Sequence, residues 1–180
     1  MKPLPADYFA VFGISPQLAL DLPELQRQFY VLSKLHHPDR FARASADDQR
    51  YALDFTSLLN DAWRVFRDPV ARAEYFLKLK GFEIADSRAN AVPAELLEEV
   101  FELNMALEEA RDGDTTAKVQ VAQALDHFTA LRQGLDSERD RLFTAYDNSS
   151  ADAHLDALRS LLNRRRYINN LVRDAQQALS

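Results

Sequence analysis

The sequence predicts an all-α protein. Only four glycines occur in 180 residues, Ala, Leu, Glu, Arg and Gln abound, and no run alternates apolar with polar residues as a half-buried strand would. Apolar side chains recur instead at steps of three and four, the mark of helices that bury one stripe. Hydrophobic residues make up 47% of the chain, enough to fill one or two cores.

Asp7-Tyr8-Phe9-Ala10-Val11-Phe12-Gly13 reads as a short helix begun by Asp7 and stopped by Gly13, with Phe9 and Phe12 turned inward. It is too short to stand alone. Asp21, with Glu24 three residues on, starts a second helix, and Pro23 is tolerated because first-turn amides have no partner to lose. Its stripe is Leu22, Leu25, Phe29, Leu32 and either Leu35 or His36. Pro38 holds the residue before it extended, so this helix must stop at about His37. Ser45 with Asp48 starts a third helix whose stripe, Ala52, Phe55, Leu59, Ala62 and Phe66, matches the previous one. Two such stripes joined by a short loop predict an antiparallel hairpin with the loop at one end, and Trp63 belongs to its core. Asp68-Pro69 opens a fourth helix that runs to Lys80 and is closed by Gly81.

Residues 82–92 lack periodicity and are read as a linker between a first domain, 1–81, and a second, 93–180. Pro93 opens three long helices, Pro93 to Ala110, Ala117 to Asp147 and Ala151 to Leu179, with turns at Asp112-Gly113-Asp114 and Asn148-Ser149-Ser150. Long helices with short turns make an up-down-up three-helix bundle.

A net charge of -6 argues against phosphate-driven nucleic-acid binding. Zero cysteines exclude disulfides, thiolate ligands and a cysteine nucleophile. Met1-Lys2-Pro3-Leu4-Pro5 opens no signal-length apolar segment and no span of about 18 uncharged apolar residues occurs, so a cytoplasmic location is expected, the alternative being a mitochondrial matrix form whose presequence was removed, with neither membrane nor nucleic acid as partner.

Three stretches carry the functional reading. The first is the loop His36-His37-Pro38-Asp39-Arg40-Phe41. An imidazole, a fixed kink and a carboxylate between two packed helices form a rigid polar surface, a contact site more than a pocket. His36, His37 and Asp39 could in principle bind a metal or serve a hydrolase, but a metal site needs three or four convergent supported ligands, and His127 and His154 stand without ligand spacing. No cofactor or metal is expected. Arg27 and Lys34, seven residues apart, share a side of the second helix, Tyr30 and Val31 lie uncharged between them, and Arg40 adds a cation.

The second stretch is the helix after Pro93. Leu96, Val100, Leu103 and Leu107 form one stripe and Leu97, Phe101 and Met105 another, centred roughly 130° apart, so one core contact cannot bury both. The leftover strip, bordered by Glu98, Glu102, Glu108 and Glu109, has the composition of a docking surface. Two neighbouring helices could instead bury both stripes. The third stretch, Arg164-Arg165-Arg166, points three ways on a helix and is read as a solvated face.

The loop lies between amphipathic helices, after a short aromatic helix and before Asn60-Asp61-Ala62-Trp63 and Asp68-Pro69-Val70-Ala71-Arg72-Ala73-Glu74-Tyr75. This arrangement resembles the J-domain of DnaJ-type co-chaperones. The order of Tyr8-Phe9-Ala10-Val11-Phe12-Gly13, His37-Pro38-Asp39-Arg40-Phe41 and Arg72-Ala73-Glu74-Tyr75-Phe76 is similar to the HscB family, the J-type co-chaperones of iron–sulfur cluster assembly, and the resemblance covers the full chain. It implies a J-domain followed by a three-helix bundle and no catalytic activity. His37, Pro38 and Asp39, with Arg40, Arg27 and Lys34, would contact the ATPase of a DnaK-type chaperone, HscA, and stimulate hydrolysis. Leu97, Glu98, Phe101, Glu102 and Met105, with Tyr167, would bind the cluster scaffold IscU. Glu98 stands where the family favours a bulky apolar residue and Met105 where it favours an acid. With no cysteine in the chain, any iron–sulfur chemistry belongs to a partner. The alternatives are a general J-protein that binds unfolded clients and a His/Asp metal-dependent hydrolase.

Overall fold

The computed structural model describes residues 3–83 and 94–180. It is helical, with no strand among the described residues, and divides into two compact units, Met1–Gly81 and Phe82–Ser180. Most of the sequence-predicted linker, and Pro93 as a helix opener, lie outside the described residues.

In the first unit, helices α1 (Tyr8–Phe12), α2 (Leu22–Leu35), α3 (Ala46–Arg67) and α4 (Pro69–Leu79) pack around α3, and a 3-10 turn over Pro38–Phe41 joins α2 to α3. The ends are fixed by the residues the sequence singles out. The Asp7 side chain accepts from the Ala10 amide, Asp21 from Glu24, and Asp68 from Val70 and Ala71. The Ser45 hydroxyl accepts from the Asp48 amide at 3.2 Å and donates to the Asp48 carboxylate at 2.6 Å. Gly13 ends α1 at φ 65°, a left-handed conformation that costs glycine least.

Phe29 stacks on Trp63 at 5.4 Å, and His36 meets Phe55 at 4.1 Å. As α2 advances its partners on α3 move backward, so the pair is an antiparallel hairpin. Its open end, away from the loop, rests on an aromatic core in which Phe66, fully buried, faces Phe9 at 4.7 Å, Phe12 at 5.8 Å and Tyr75 at 6.2 Å. Tyr75 stacks on Tyr8 at 4.4 Å and its hydroxyl accepts from the Tyr8 amide at 2.9 Å. Burial, more than any other cause, pushes the Tyr75 hydroxyl pKa up. Arg72 is buried in α4 and donates to the Phe66 carbonyl at 2.9 Å, satisfying a last-turn acceptor of α3 with a cation placed at the negative end of that helix.

The second unit holds a 3-10 turn, Ala94–Leu96, then α5 (Leu97–Arg111), α6 (Thr115–Ser149) and α7 (Asp152–Ala178). α6 and α7 pack as a long pair, and α5 lies mainly along α6. α6 begins two residues earlier than the sequence reading had it, because Asp114 caps it by accepting from Thr116 and Ala117. The turn into α7 places Ser150 at φ 53°, its amide donating to the Tyr146 carbonyl at 2.7 Å.

A charged cluster fixes α7 against α6. Arg165 reaches Asp136 at 2.7 and 3.2 Å, Arg139, buried, pairs with Asp136 and Asp140, and Arg132 donates to Asn169 at 3.1 Å. Burial alone would raise the Asp136 pKa, but the Arg165 hydrogen bond and the charges of Arg165, Arg139 and Arg132 outweigh it, holding the carboxyl below the usual carboxylate range. This corrects the solvated reading of Arg164-Arg165-Arg166: Arg165 is mostly buried, and Arg164 stands 3.6 Å from Glu95.

Candidate functional site

The hinge is built by its backbone. His36 ends α2, its ring lies on Phe55, and Thr56 donates to its carbonyl at 3.1 Å, pinning the loop to α3. His36 thus takes the inward place in the stripe that the sequence leaves open, while Leu35 is 51% exposed. His37 is extended, at φ -59° and ψ 130°, as a residue before proline must be. Its Nδ1 accepts from the Asp39 amide at 3.3 Å and caps the turn at Pro38. The Asp39 carboxylate is left 90% exposed, with Oδ2 3.6 Å from His37 Nδ1. His37 and Arg40 are exposed and Pro38 is half-buried.

Such a loop offers a fixed anion in water, held by hydrogen bonds that do not use its carboxylate. That arrangement suits a charge-assisted bond to a cation on another protein. It suits a metal poorly, since the His36 ring packs on α3 and does not converge with His37 and Asp39, and no group of three or more His, Cys, Asp or Glu placed to hold a metal occurs among the described residues.

α2 presents a second feature to solvent. Arg27 and Lys34 are exposed on one side, as the spacing predicts, with Arg27 held at 2.9 Å by Glu24. Between and beside them Tyr30, Val31 and Leu35 are 61, 66 and 51% exposed. The sequence reading counted Tyr30 and Val31 only as missing charges. Their spacing from Arg27, three and four residues, was the available signal that they join one surface. This face is apolar with cations at its edges.

In the second unit α5 separates its two stripes. Leu96, Val100, Leu103 and Leu107 are buried, whereas Leu97, Phe101 and Met105 are 54, 65 and 48% exposed. The neighbouring helices therefore do not bury both. Glu98 and Glu102 are exposed beside the outer stripe. Arg164 of α7 lies 3.6 Å from Glu95, just before α5, which brings that turn of α7 next to the start of the strip. Tyr167, one turn further on, is half-buried, and burial pushes its hydroxyl pKa up.

No protein-family model matches the chain. Among solved structures it is similar to the chaperone HscB from Vibrio cholerae, 27% identical, with a TM-score of 0.66 over 95% of this chain and 96% of that one. It is also similar to the human co-chaperone protein HscB, 24% identical, with a TM-score of 0.71 over 97% of this chain and 83% of that one. No helix among the described residues is long and apolar enough to cross a membrane.

Proposed function

We propose that this chain, which shares the fold of the HscB co-chaperones over nearly its whole length, is itself a J-type co-chaperone of iron–sulfur cluster assembly. Its first unit stimulates ATP hydrolysis by a specialised DnaK-type chaperone, HscA, and its second delivers the scaffold IscU to that chaperone. It works in the cytoplasm as a regulator and performs no chemistry of its own. The observation that carries this reading is the exposed, proline-fixed Asp39 at the tip of the α2–α3 hairpin.

His37, Pro38 and Asp39 are the activating loop. Pro38 and the His37 cap fix the direction of the Asp39 carboxylate, so little ordering entropy is lost when a cation of the chaperone meets it. The outer face of α2 lies alongside, with Arg27, Lys34 and Arg40 steering an acidic partner and Tyr30 and Val31 supplying area to bury. On the second unit Leu97, Phe101 and Met105, with Glu98, Glu102 and Tyr167, receive the scaffold.

The test is steady-state ATPase activity of HscA titrated with this protein, with and without IscU. Stimulation by the protein alone, raised further when IscU is added, is the expected result. No stimulation in either case overturns the J-protein reading, and stimulation that ignores IscU overturns the delivery role.

A further inference from the structure

One nitrogen in the hinge faces two groups of the same residue. His37 Nδ1 accepts from the Asp39 amide at 3.3 Å and stands 3.6 Å from Asp39 Oδ2. The chain order brings this about. Pro38 has no amide to offer and holds His37 extended, so the next amide within reach of the ring is that of Asp39, and its carboxylate comes with it. Among the described residues, the hydrogen-bond and ion-pair contacts of the His37 side chain are both to Asp39.

The two contacts require opposite forms of the ring. A nitrogen that accepts from an amide carries no proton, so the imidazole that caps the turn is neutral, with its hydrogen on Nε2. A proton taken up from solvent on Nδ1 turns that atom into a donor. It then has nothing to offer the amide, and the acceptor beside it is the Asp39 carboxylate. Drawing 3.6 Å in to the roughly 2.8 Å of a charge-assisted bond needs rotation of only two exposed side chains. The imidazole is the side chain whose charge changes between pH 5 and 8.

The titratable groups around the loop stand apart from this pair. From α2 they are Lys34, which is exposed, and His36, whose ring lies on Phe55. Arg40 follows in the turn and is exposed. From α3 they are Asp48, which accepts from the Ser45 hydroxyl, and Tyr51, 6.1 Å from the His36 ring.

We propose that His37 is a pH-sensitive gate on Asp39: neutral, it caps the turn and leaves the carboxylate free for the chaperone's cation; protonated on Nδ1, it ties the carboxylate up within the loop. This rests on the reading of Asp39 as the residue that meets the chaperone, and adds a control to it. The proton acts twice. It gives the carboxylate an internal cation in place of the external one, and it removes the cap that fixes where the carboxylate points. Nothing has to unfold for stimulation to fall.

The first test uses the protein alone. NMR of the full chain from about pH 8 to about pH 5 follows the His37 ring and the Asp39 backbone amide together. The amide signal is expected to move upfield, as an amide losing its acceptor does, along the same curve as the ring. An amide that stays still while the ring titrates overturns the proposal. The second test is stimulation of HscA at about pH 8 and about pH 6, taken relative to HscA alone at each pH. The concentration giving half-maximal stimulation is expected to rise about fivefold at the lower pH, the competition that an exposed ion pair at the upper end of its usual strength exerts. His37→Asn keeps an oxygen able to accept from the Asp39 amide but does not titrate, so its half-maximal concentration should be the same at both pH values. No pH effect in the parent, or the same effect in His37→Asn, overturns the proposal. Should His37→Asn fail to stimulate at either pH, the NMR titration and the parent's two concentrations decide. A parent that stimulates HscA at neither pH overturns the J-protein reading itself, a result that the NMR titration does not share.

Discussion

Asp39→Asn separates function from folding more cleanly than any other change to the loop. The carboxylate is 90% exposed, and its ion-pair contact among the described residues is His37 Nδ1 at 3.6 Å, so its charge does almost nothing for the folded state. The loop's shape comes from Pro38, from the Asp39 amide bonded to His37, and from His36 packed on Phe55. All of these survive in the Asn variant. Stability should therefore stay within about 0.5 kcal/mol, a change of at most about 4 °C in Tm for a domain of this size. The partner's cation, however, loses a charge-assisted hydrogen bond worth about 1.5–3 kcal/mol, which is about 10- to 150-fold in the affinity of the stimulating complex. The assay is single-turnover ATP hydrolysis by HscA over a concentration series of each protein, with thermal unfolding measured alongside. A variant that unfolds at the parent's temperature but needs at least tenfold more protein for half-maximal stimulation, or never stimulates, agrees with the argument. A variant that stimulates with the parent's concentration dependence refutes it, because the exposed carboxylate would then have no partner.

Three further outcomes are expected. Phe66→Ala empties the centre of the aromatic core and should destabilise the first unit by about 3–5 kcal/mol in a denaturant titration; a loss below about 1 kcal/mol would mean that the core collapses around the gap. Asp136→Asn should destabilise the second unit at neutral pH by about 1–3 kcal/mol by leaving Arg165 and Arg139 short of a partner. Because the folded Asp136 pKa is depressed, its contribution is complete above the unfolded value, near 4, and is lost as pH falls through the folded value, so the gap between parent and variant should close in acid and not in base. Leu97→Ala together with Phe101→Ala should weaken IscU binding at least tenfold while moving stability little, since both side chains are more than half exposed; unchanged affinity would remove the strip from the site.

The helices were legible because their ends are chemical. Asp7, Asp21, Ser45, Asp68 and Gly13 cap in the structure as their side chains or missing Cβ dictate, and those contacts span four residues or fewer. The hinge was legible for the same reason, since Pro38 acts on its immediate neighbour. Long-range pairing was not. Nothing within the run Arg164-Arg165-Arg166 says that its middle member meets Asp136, 29 residues away, and composition alone made the run look solvated. Nor does anything local to Arg72 say that its guanidinium finds the Phe66 carbonyl once α4 turns back on α3. The choice between Leu35 and His36 could not be made from a helical wheel, because the helix ends at Leu35 and His36 has already left helical geometry.

What the sequence shows least well is the sign of an exposed surface. The outer face of α2 was read by its charges, so Tyr30 and Val31 counted as gaps; the structure leaves both more than half exposed. The strip on α5 was found by the opposite route, as an apolar stripe with no place left in the core. Both helices show the same pattern: beside the stripe each buries, a second set of apolar side chains stands exposed, whatever charges stand between its members. On α2 this places Tyr30, Val31 and Leu35 on the same surface as Arg27 and Lys34. If the proposed function holds, the cations would set how fast the chaperone arrives, and the apolar side chains, whose burial salt does not screen, would set how long it stays.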